Sequence, residues 1–347
     1  MTIALLIPTA NSWGRLRHAI EKIVHLPMRT LIAFHVLFLL LIAHAAALNF
    51  PERPIRIVVG FVPGGGADAT ARLVAHKLYE TWGQPVIVDN RAGAGGNVAA
   101  EIVAKAGPDG YTLLLTSPGP VVINPSLYRH LPYNPQQDLA AVTLVASGPN
   151  VLVVRTALPA ADVRELIALA RAKPGGLTFA SSGTGSIPHL SAELFKIAAK
   201  VELVHVAYKG AGPAVIDLIA GRVDLMFVSA QSALTQIRAQ RLKALAVTSL
   251  KRSATLPELP TLDEAGLPGY ESIAWWGLLA PARAPRDILL KLNAAVVKSL
   301  NQPDTKEKLA SEGAEIVANS PAQFDDFLRK EATKWARVID AAKLKLE

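Results

Sequence analysis

Pro54-Ile55-Arg56-Ile57-Val58-Val59-Gly60-Phe61-Val62-Pro63-Gly64-Gly65-Gly66-Ala67-Asp68 is the stretch that decides the fold class. Residues 55–60 form a run rich in β-branched side chains and read as a buried strand. A loop of glycines follows, and residues 67–78 then carry apolar side chains at helical spacing. Strand, glycine turn and helix in that order are half of a βα unit. The pattern recurs at once, with strands at 86–89 and 111–116 and a helix at 97–106. Repeated βα argues for a parallel sheet with crossover helices.

Further along, 142–145 and 151–154 read as a pair of short strands around Ser147-Gly148-Pro149. A second set of βα units follows. Asp162 and Glu165 have capping-box spacing, and the helix they open ends before Pro174-Gly175-Gly176. Strands are expected at 177–180, 203–206, 223–228 and 242–248. Helices are expected at 190–199 and 213–220, the latter closed by Gly221. Thr261 and Glu264 repeat the capping spacing in a Pro-rich connection, ahead of the apolar run 273–279. One helix spans 285–300, and another starts at Pro321 with Ser320 and Gln323 as its box. In that last helix Phe324, Phe327, Leu328, Trp335, Val338 and Ile339 share one face. Two βα blocks joined near 147–153 and 268–280 make two parallel-sheet lobes around a hinged cleft. The first lobe is read as 49–148 plus 276–347, the second as 149–275.

The composition agrees. Of 347 residues 51% are hydrophobic but only 6% aromatic, so the core is aliphatic, as suits helices on a buried parallel sheet. There is no cysteine, which excludes disulfides, thiol catalysis, thiolate metal sites and a lipidated N-terminal cysteine. Residues 1–47 read as a signal region outside the fold. Arg29 precedes an apolar run at 31–43, about 13 residues where a spanning helix needs roughly 20. Ala45-Ala46-Ala47 supplies the small-residue cleavage region, with the cut after Ala45 or Ala47. The stretch before Met28 is longer than export requires, and Met28 is read as the start. Removing the segment takes away four basic residues and Glu21, leaving +5 from the +8 of the whole chain. The remaining Lys and Arg are scattered and not interleaved with aromatics, so no nucleic-acid face is expected.

Three loops at strand-to-helix junctions could carry chemistry: 61–68, 181–189 and 208–213. In parallel α/β sheets the crevice lies outside the carboxyl ends of the strands, where such loops gather. Glycines let the backbone approach a ligand, and each following helix turns free N–H groups and a positive dipole end toward it. The expected product is an anion site of backbone amides and hydroxyls. Each loop also has a plainer reading, as a tight connection, a helix cap or a packed ring. No Gly-Lys-Ser or Gly-Lys-Thr makes a phosphate loop, and Gly93-Ala94-Gly95-Gly96 lacks the third glycine of a dinucleotide fingerprint. Gly183-Thr184-Gly185-Ser186 has the wrong register for a nucleophile elbow. His76, His130, His189 and His205 have no metal-ligand spacing, and neither a metal nor a cofactor is expected. His189, Asp68, Asp217 and Asp224 read as structural.

Taken together, four motifs resemble the tripartite tricarboxylate transporter substrate-binding proteins, the Bug receptors. They are Pro54–Val59 with Pro63-Gly64-Gly65 and Asp68; Asp89-Asn90-Arg91 with Gly93-Ala94-Gly95-Gly96; Ser181-Ser182-Gly183 with Gly185-Ser186 and His189-Leu190; and Tyr208-Lys209-Gly210 with Gly212-Pro213-Ala214 and Gly221-Arg222-Val223-Asp224. The resemblance covers about residues 49–347. It implies a bilobal periplasmic-binding-protein fold, type II-like, that closes on an organic acid, an acidic amino acid or an aromatic acid. By position it points to Phe61, Val62, Pro63, Gly64 and Gly65 on one side and to Ser182, Gly183, Thr184, Gly185 and Ser186 on the other. Ser117, Tyr208 and Ser229 would complete the cleft. Two departures, Gly60 where a proline is common and the extra Gly66, imply a looser first loop. The function implied is a periplasmic, monomeric receptor delivering a small carboxylate to membrane permease subunits, with no nucleic-acid partner. A ligand sensor signalling to a membrane partner is the alternative. A hydrolase using Ser182 or Ser186 with His189 is disfavoured, because the elbow and an orienting acid are missing.

Overall fold

The computed structural model describes residues 50–344 apart from 312 and 342. The reading of residues 1–47 as an export signal, with Met28 as start, lies outside them. β1 (Ile55–Val59) leads into α1 (Gly66–Trp82), β2 (Val86–Asn90), α2 (Asn97–Ala104) and β3 (Thr112–Thr116). β1 pairs in parallel with β2 on one side and β3 on the other. Ile55, Ile57, Val58 and Val59 are all fully buried, which places apolar side chains on both faces of the strand.

Next come β4 (Leu139–Arg155), α3 (Val163–Ala172), β5 (Thr178–Ser181), α4 (Ile187–Ala199), β6 (Val204–Ala207), α5 (Ala211–Ile219), β7 (Leu225–Ser229), α6 (Ala230–Arg238) and β8 (Leu242–Val247). β9 (Ile273–Pro281), α7 (Arg286–Leu300), α8 (Pro303–Ser311), β10 (Glu315–Ile316) and α9 (Pro321–Ala341) complete the described chain. The strands run in the order β2-β1-β3-β9-β4-β7-β5-β6, with β8 and β10 also on β4.

This is the bilobal α/β architecture expected from the sequence, but the sheets are mixed. β9 is antiparallel to β3, and β4 is antiparallel to β9, β7 and β8. The two blocks aim the carboxyl ends of their parallel strands at one cleft from opposite sides. β4 passes from one block to the other and opposes its ladder partners in both, β9 in the first and β7 and β8 in the second. The two short strands expected at 142–145 and 151–154 are in fact one strand, β4, of 17 residues. Ser147-Gly148-Pro149 does not turn. Pro149 faces Ile273 at the end of the β9 ladder, and Asn150 opens the β7 ladder opposite Ser229. A residue without an amide is tolerated at such a hand-over. Gly148 is required there because a Cβ would come 2.6 Å from the Gly313 carbonyl oxygen. The sequence reading also missed α8, whose only buried residues are Thr305 and Leu309.

The expected caps form. Glu165 donates its amide to Asp162 at 2.8 Å and accepts from the Ala161 amide at 2.6 Å. Gln323 and Ser320 bond reciprocally at 3.3 and 3.0 Å ahead of α9. α9 then lays Phe324, Trp335 and Ile339, all fully buried, against Trp275 of β9. Phe324 and Trp275 meet edge to face at 5.9 Å. The indole N–H groups of Trp275 and Trp335 both donate to one oxygen of Glu331, each at 3.1 Å. Two buried donors therefore depend on a single carboxylate. Replacing Glu331 with Ala strands both, and the expected loss is about 3 kcal/mol in urea unfolding, from about 1–3 kcal/mol per unsatisfied donor. A loss below about 1 kcal/mol would show that the indoles find other partners.

Candidate functional site

The first loop is built by Asp68. Gly64 takes a positive φ of 96°, and its amide donates to Asp68 Oδ2 at 3.1 Å. Asn90, at the end of β2, spans the Phe61 carbonyl (2.9 Å) and Asp68 Oδ1 (3.0 Å), and Arg72 donates to Asp68 Oδ2 at 3.0 Å. Burial alone would raise the Asp68 carboxyl. The hydrogen bonds from Arg72, Gly64 and Asn90 outweigh it and hold the group below the ordinary carboxylate value. The loop is tied down, contrary to the looseness expected from Gly60 and Gly66. A Cβ on Gly60 would come 2.6 Å from Gly96 Cα, so β1 ends in backbone contact with the 93–96 turn. A Cβ on Gly66 would come 2.5 Å from the Trp276 ring, and the Gly66 amide donates to Ser232 Oγ at 3.0 Å.

The second loop leaves β5 through Ser181 and enters α4 at Ser186. Gly183 and Gly185 take φ of 128° and 77°, values that favour glycine. The Gly183 amide donates to Ser181 Oγ at 3.1 Å, and the Gly185 amide donates to His189 Nδ1 at 3.2 Å. Ser186 occupies the N-cap position of α4 without capping it through its side chain.

A cavity of about 50 Å³ lies between the loops. Four helix N-termini meet around it: α1 through Gly65 to Ala67, α4 through Ser186 to Pro188, α5 through Ala211, and α6 through Ser229 and Ser232. None of their cap residues makes a side-chain cap bond. No lining residue is charged. Ser186 Oγ and Asn150 Oδ1 are buried without a hydrogen-bond partner. Such orphan acceptors and donors are rare unless a ligand or water answers them.

Of the residues expected at the site, Phe61, Gly65, Ser117, Ser182, Ser186 and Ser229 line this cavity. Gly183, Thr184 and Tyr208 line an adjoining cavity of about 240 Å³ instead, together with Gly93 to Gly96. The Tyr208 hydroxyl donates to Asp217 at 2.8 Å, and burial followed by that contact pushes the phenol up to about 12. Gly185 packs on Asn124 and Leu127. Val62, Pro63 and Gly64 do not line the cavity. The Val62 amide donates to the Lys209 carbonyl at 3.2 Å, so the first and third loops touch directly. Ala211, in the 208–213 loop singled out from the sequence, also lines the cavity, whereas sequence reasoning missed Asn150, Ser232, Trp275 and Trp276. The Trp pair stood out only as part of an apolar strand, and Asn150 carried no local signal. Arg91 lies on the surface against Asp89 at 3.0 Å.

His189 and His205 stack at 4.1 Å beneath the second loop. Burial, with His205 and Lys196 adding repulsion, lowers His189 to about 3; burial and Lys196 lower His205 to about 4. Ser181 Oγ lies 2.6 Å from His205 Nε2, a serine–histidine contact the sequence did not suggest. Ser181 is fully buried and absent from the cavity lining. Among the described residues no group of three or more His, Cys, Asp or Glu could hold a metal, and no helix is long and apolar enough to cross a membrane.

A sequence model described as the tripartite tricarboxylate transporter family receptor matches residues 70–344. BugT of Bordetella pertussis is 38% identical over 306 residues, covering 88% of this chain and 94% of that protein. An R. palustris protein solved with adipate superposes with a TM-score of 0.84 at 39% identity, covering 86% of this chain and 99% of the other. The periplasmic binding protein BugD superposes at 0.83 with 35% identity, covering 86% and 100%.

The two histidines make stability pH-dependent. Their native values lie below the ordinary 6.5, so the unfolded chain binds more protons between. Stability is then greatest above about pH 6.5 and falls as pH drops toward 4 and 3. Thermal melts from about pH 7 to pH 4 should show a declining midpoint, and His205→Gln should make the decline shallower. A profile of equal slope in both proteins would contradict this assignment.

Proposed function

Because the chain belongs to the tripartite tricarboxylate transporter receptor family, we propose that it captures a small carboxylate and presents it to membrane permease subunits. The observation that carries this reading is the cavity itself: four helix N-termini, a row of serines, the orphan Ser186 Oγ, and no cationic side chain. Helix N-termini favour anions through their unpaired amides and the dipole end. The adipate of the R. palustris relative belongs to the same chemical class. In our reading Phe61, Gly65, Ser117, Ser182, Ser186 and Ser229 contact the acid. Val62, Pro63, Gly64, Gly183, Thr184, Gly185 and Tyr208 shape the mouth of the cleft.

We read 49–148 plus 276–347 as one lobe and 149–275 as the other, with the hinge where β4 and β9 cross. The run of β4 from the β9 ladder into the β7 and β8 ladders supports that division. The protein acts outside the cytoplasm as a monomeric receptor and does no chemistry on its ligand. His189 Nδ1, the base nearest in sequence to Ser182 and Ser186, is occupied by the Gly185 amide.

Titration calorimetry against dicarboxylates, tricarboxylates, acidic amino acids and aromatic acids tests this proposal. At least one acid should bind, and Ser186→Ala should weaken it about tenfold, the worth of one hydrogen bond to a charged group. Binding of a sugar or a cation with no acid bound would reject it.

A further inference from the structure

We propose that His189 is a positioning residue for ligand capture: an uncharged acceptor that sets the 182–186 loop by holding the Gly185 amide, braced by stacking on His205. The inference rests on the carboxylate reading above and concerns the same site.

His189 is the third residue of α4, counting Ile187 as the first, and its side chain reaches back past Ser186 to the Gly185 amide at 3.2 Å. In a capping box a glutamate or glutamine at this position bonds back to the N-cap amide, and His189 reaches one residue further. At an anion site a glutamate would set a negative charge against the ligand. A neutral imidazole accepts the same bond and brings none. The need for an anchor follows from the loop, since Gly183 and Gly185 both hold left-handed backbone that only glycine adopts freely. Pinning their two amides away from the cavity leaves the Ser182 and Ser186 side chains and the α4 N-terminus facing it.

Hydrogen-bond direction fixes the tautomer of His189. His189 Nδ1 accepts, so its proton sits on Nε2, which faces Glu193 at 3.8 Å. Both oxygens of Glu193 are already bonded to Lys196 at 2.9 Å, which blunts their pull for a second proton on the ring. Ser181 Oγ accepts from the Gly183 amide and lies 2.6 Å from His205 Nε2, a contact that either tautomer of His205 can make. The rings stack at 4.1 Å and 17°, and Phe179 lies against both, 4.8 Å from His205 and 6.2 Å from His189. Two charged imidazoles would repel at that separation. His205 thus holds the Gly183 end of the loop through Ser181, and His189 the Gly185 end directly.

The experiment has three readouts on the full chain. Long-range ¹⁵N–¹H spectra of the wild type should show His189 protonated at Nε2. A proton on His189 Nδ1 would overturn the proposal. Amide hydrogen exchange at Gly185 should stay slow in His189→Gln, which restores a neutral acceptor, and quicken at least about tenfold in His189→Leu, which has none. Calorimetric titration with adipate, succinate and benzoate should give His189→Gln within about threefold of wild type for the acid that binds, and His189→Leu at least about tenfold weaker at a similar melting temperature. Equal behaviour of Gln and Leu variants in exchange and affinity would mean that His189 only fills space. If no acid binds the wild type, the carboxylate reading loses its support, while tautomer and exchange still decide whether His189 positions the loop.

Discussion

On the proposed reading, an anion held without a cation is the constraint on which the rest of this structure depends. No Lys or Arg lines the cavity, so the attraction we propose comes from backbone amides at helix N-termini. One such terminus is weak. Four aimed at one small space from both blocks make a focused field, and each must be delivered there by a strand end. That requirement accounts for the sheet order. The parallel strands of both blocks end at the cleft, and β4, the strand with ladders in both blocks, is antiparallel to its partners in each.

Close approach is the second consequence. Where the two sides meet, glycines face backbone: Gly95 faces the Thr184 carbonyl, and Gly119 the Gly185 carbonyl. Any side chain there would hold the loops apart and let water into the amide cage. The anchors behind the loops serve the same end. Asp68 with Asn90 fixes the first loop, and Ser181 with the stacked histidines fixes the second. The charges used as anchors lie outside the cavity lining, so the cage presents donors to the ligand and no acceptor charge.

Much of this was legible in the sequence, because strand, glycine loop and helix N-terminus are contiguous. The 54–68 stretch and the 181–189 loop carry their whole message locally, and the capping pairs at 162/165 and 320/323 are three residues apart. What failed was non-local. β4 looked like two strands because Gly148-Pro149 is a turn signal in isolation. Only the neighbouring Gly313 carbonyl and the change of ladder partner make that dipeptide extended. Asn150, Ser232 and Trp276 are brought to Gly66 and Ser186 by folding alone. Tyr208 carried a motif that suggested the cleft wall, but Asp217, one helical stretch later, turns its hydroxyl away. Gly66 looked like slack in the loop until Trp276 was seen to need its space.

A crystal structure of the full chain with the acid that proves to bind would test the central claim most directly. The account predicts a carboxylate group within hydrogen-bond distance of Ser186 Oγ and the first-turn amides of α1 and α4, with no Lys or Arg side chain touching it. A carboxylate held by a basic side chain, or seated outside the cavity between the two loops, would contradict it.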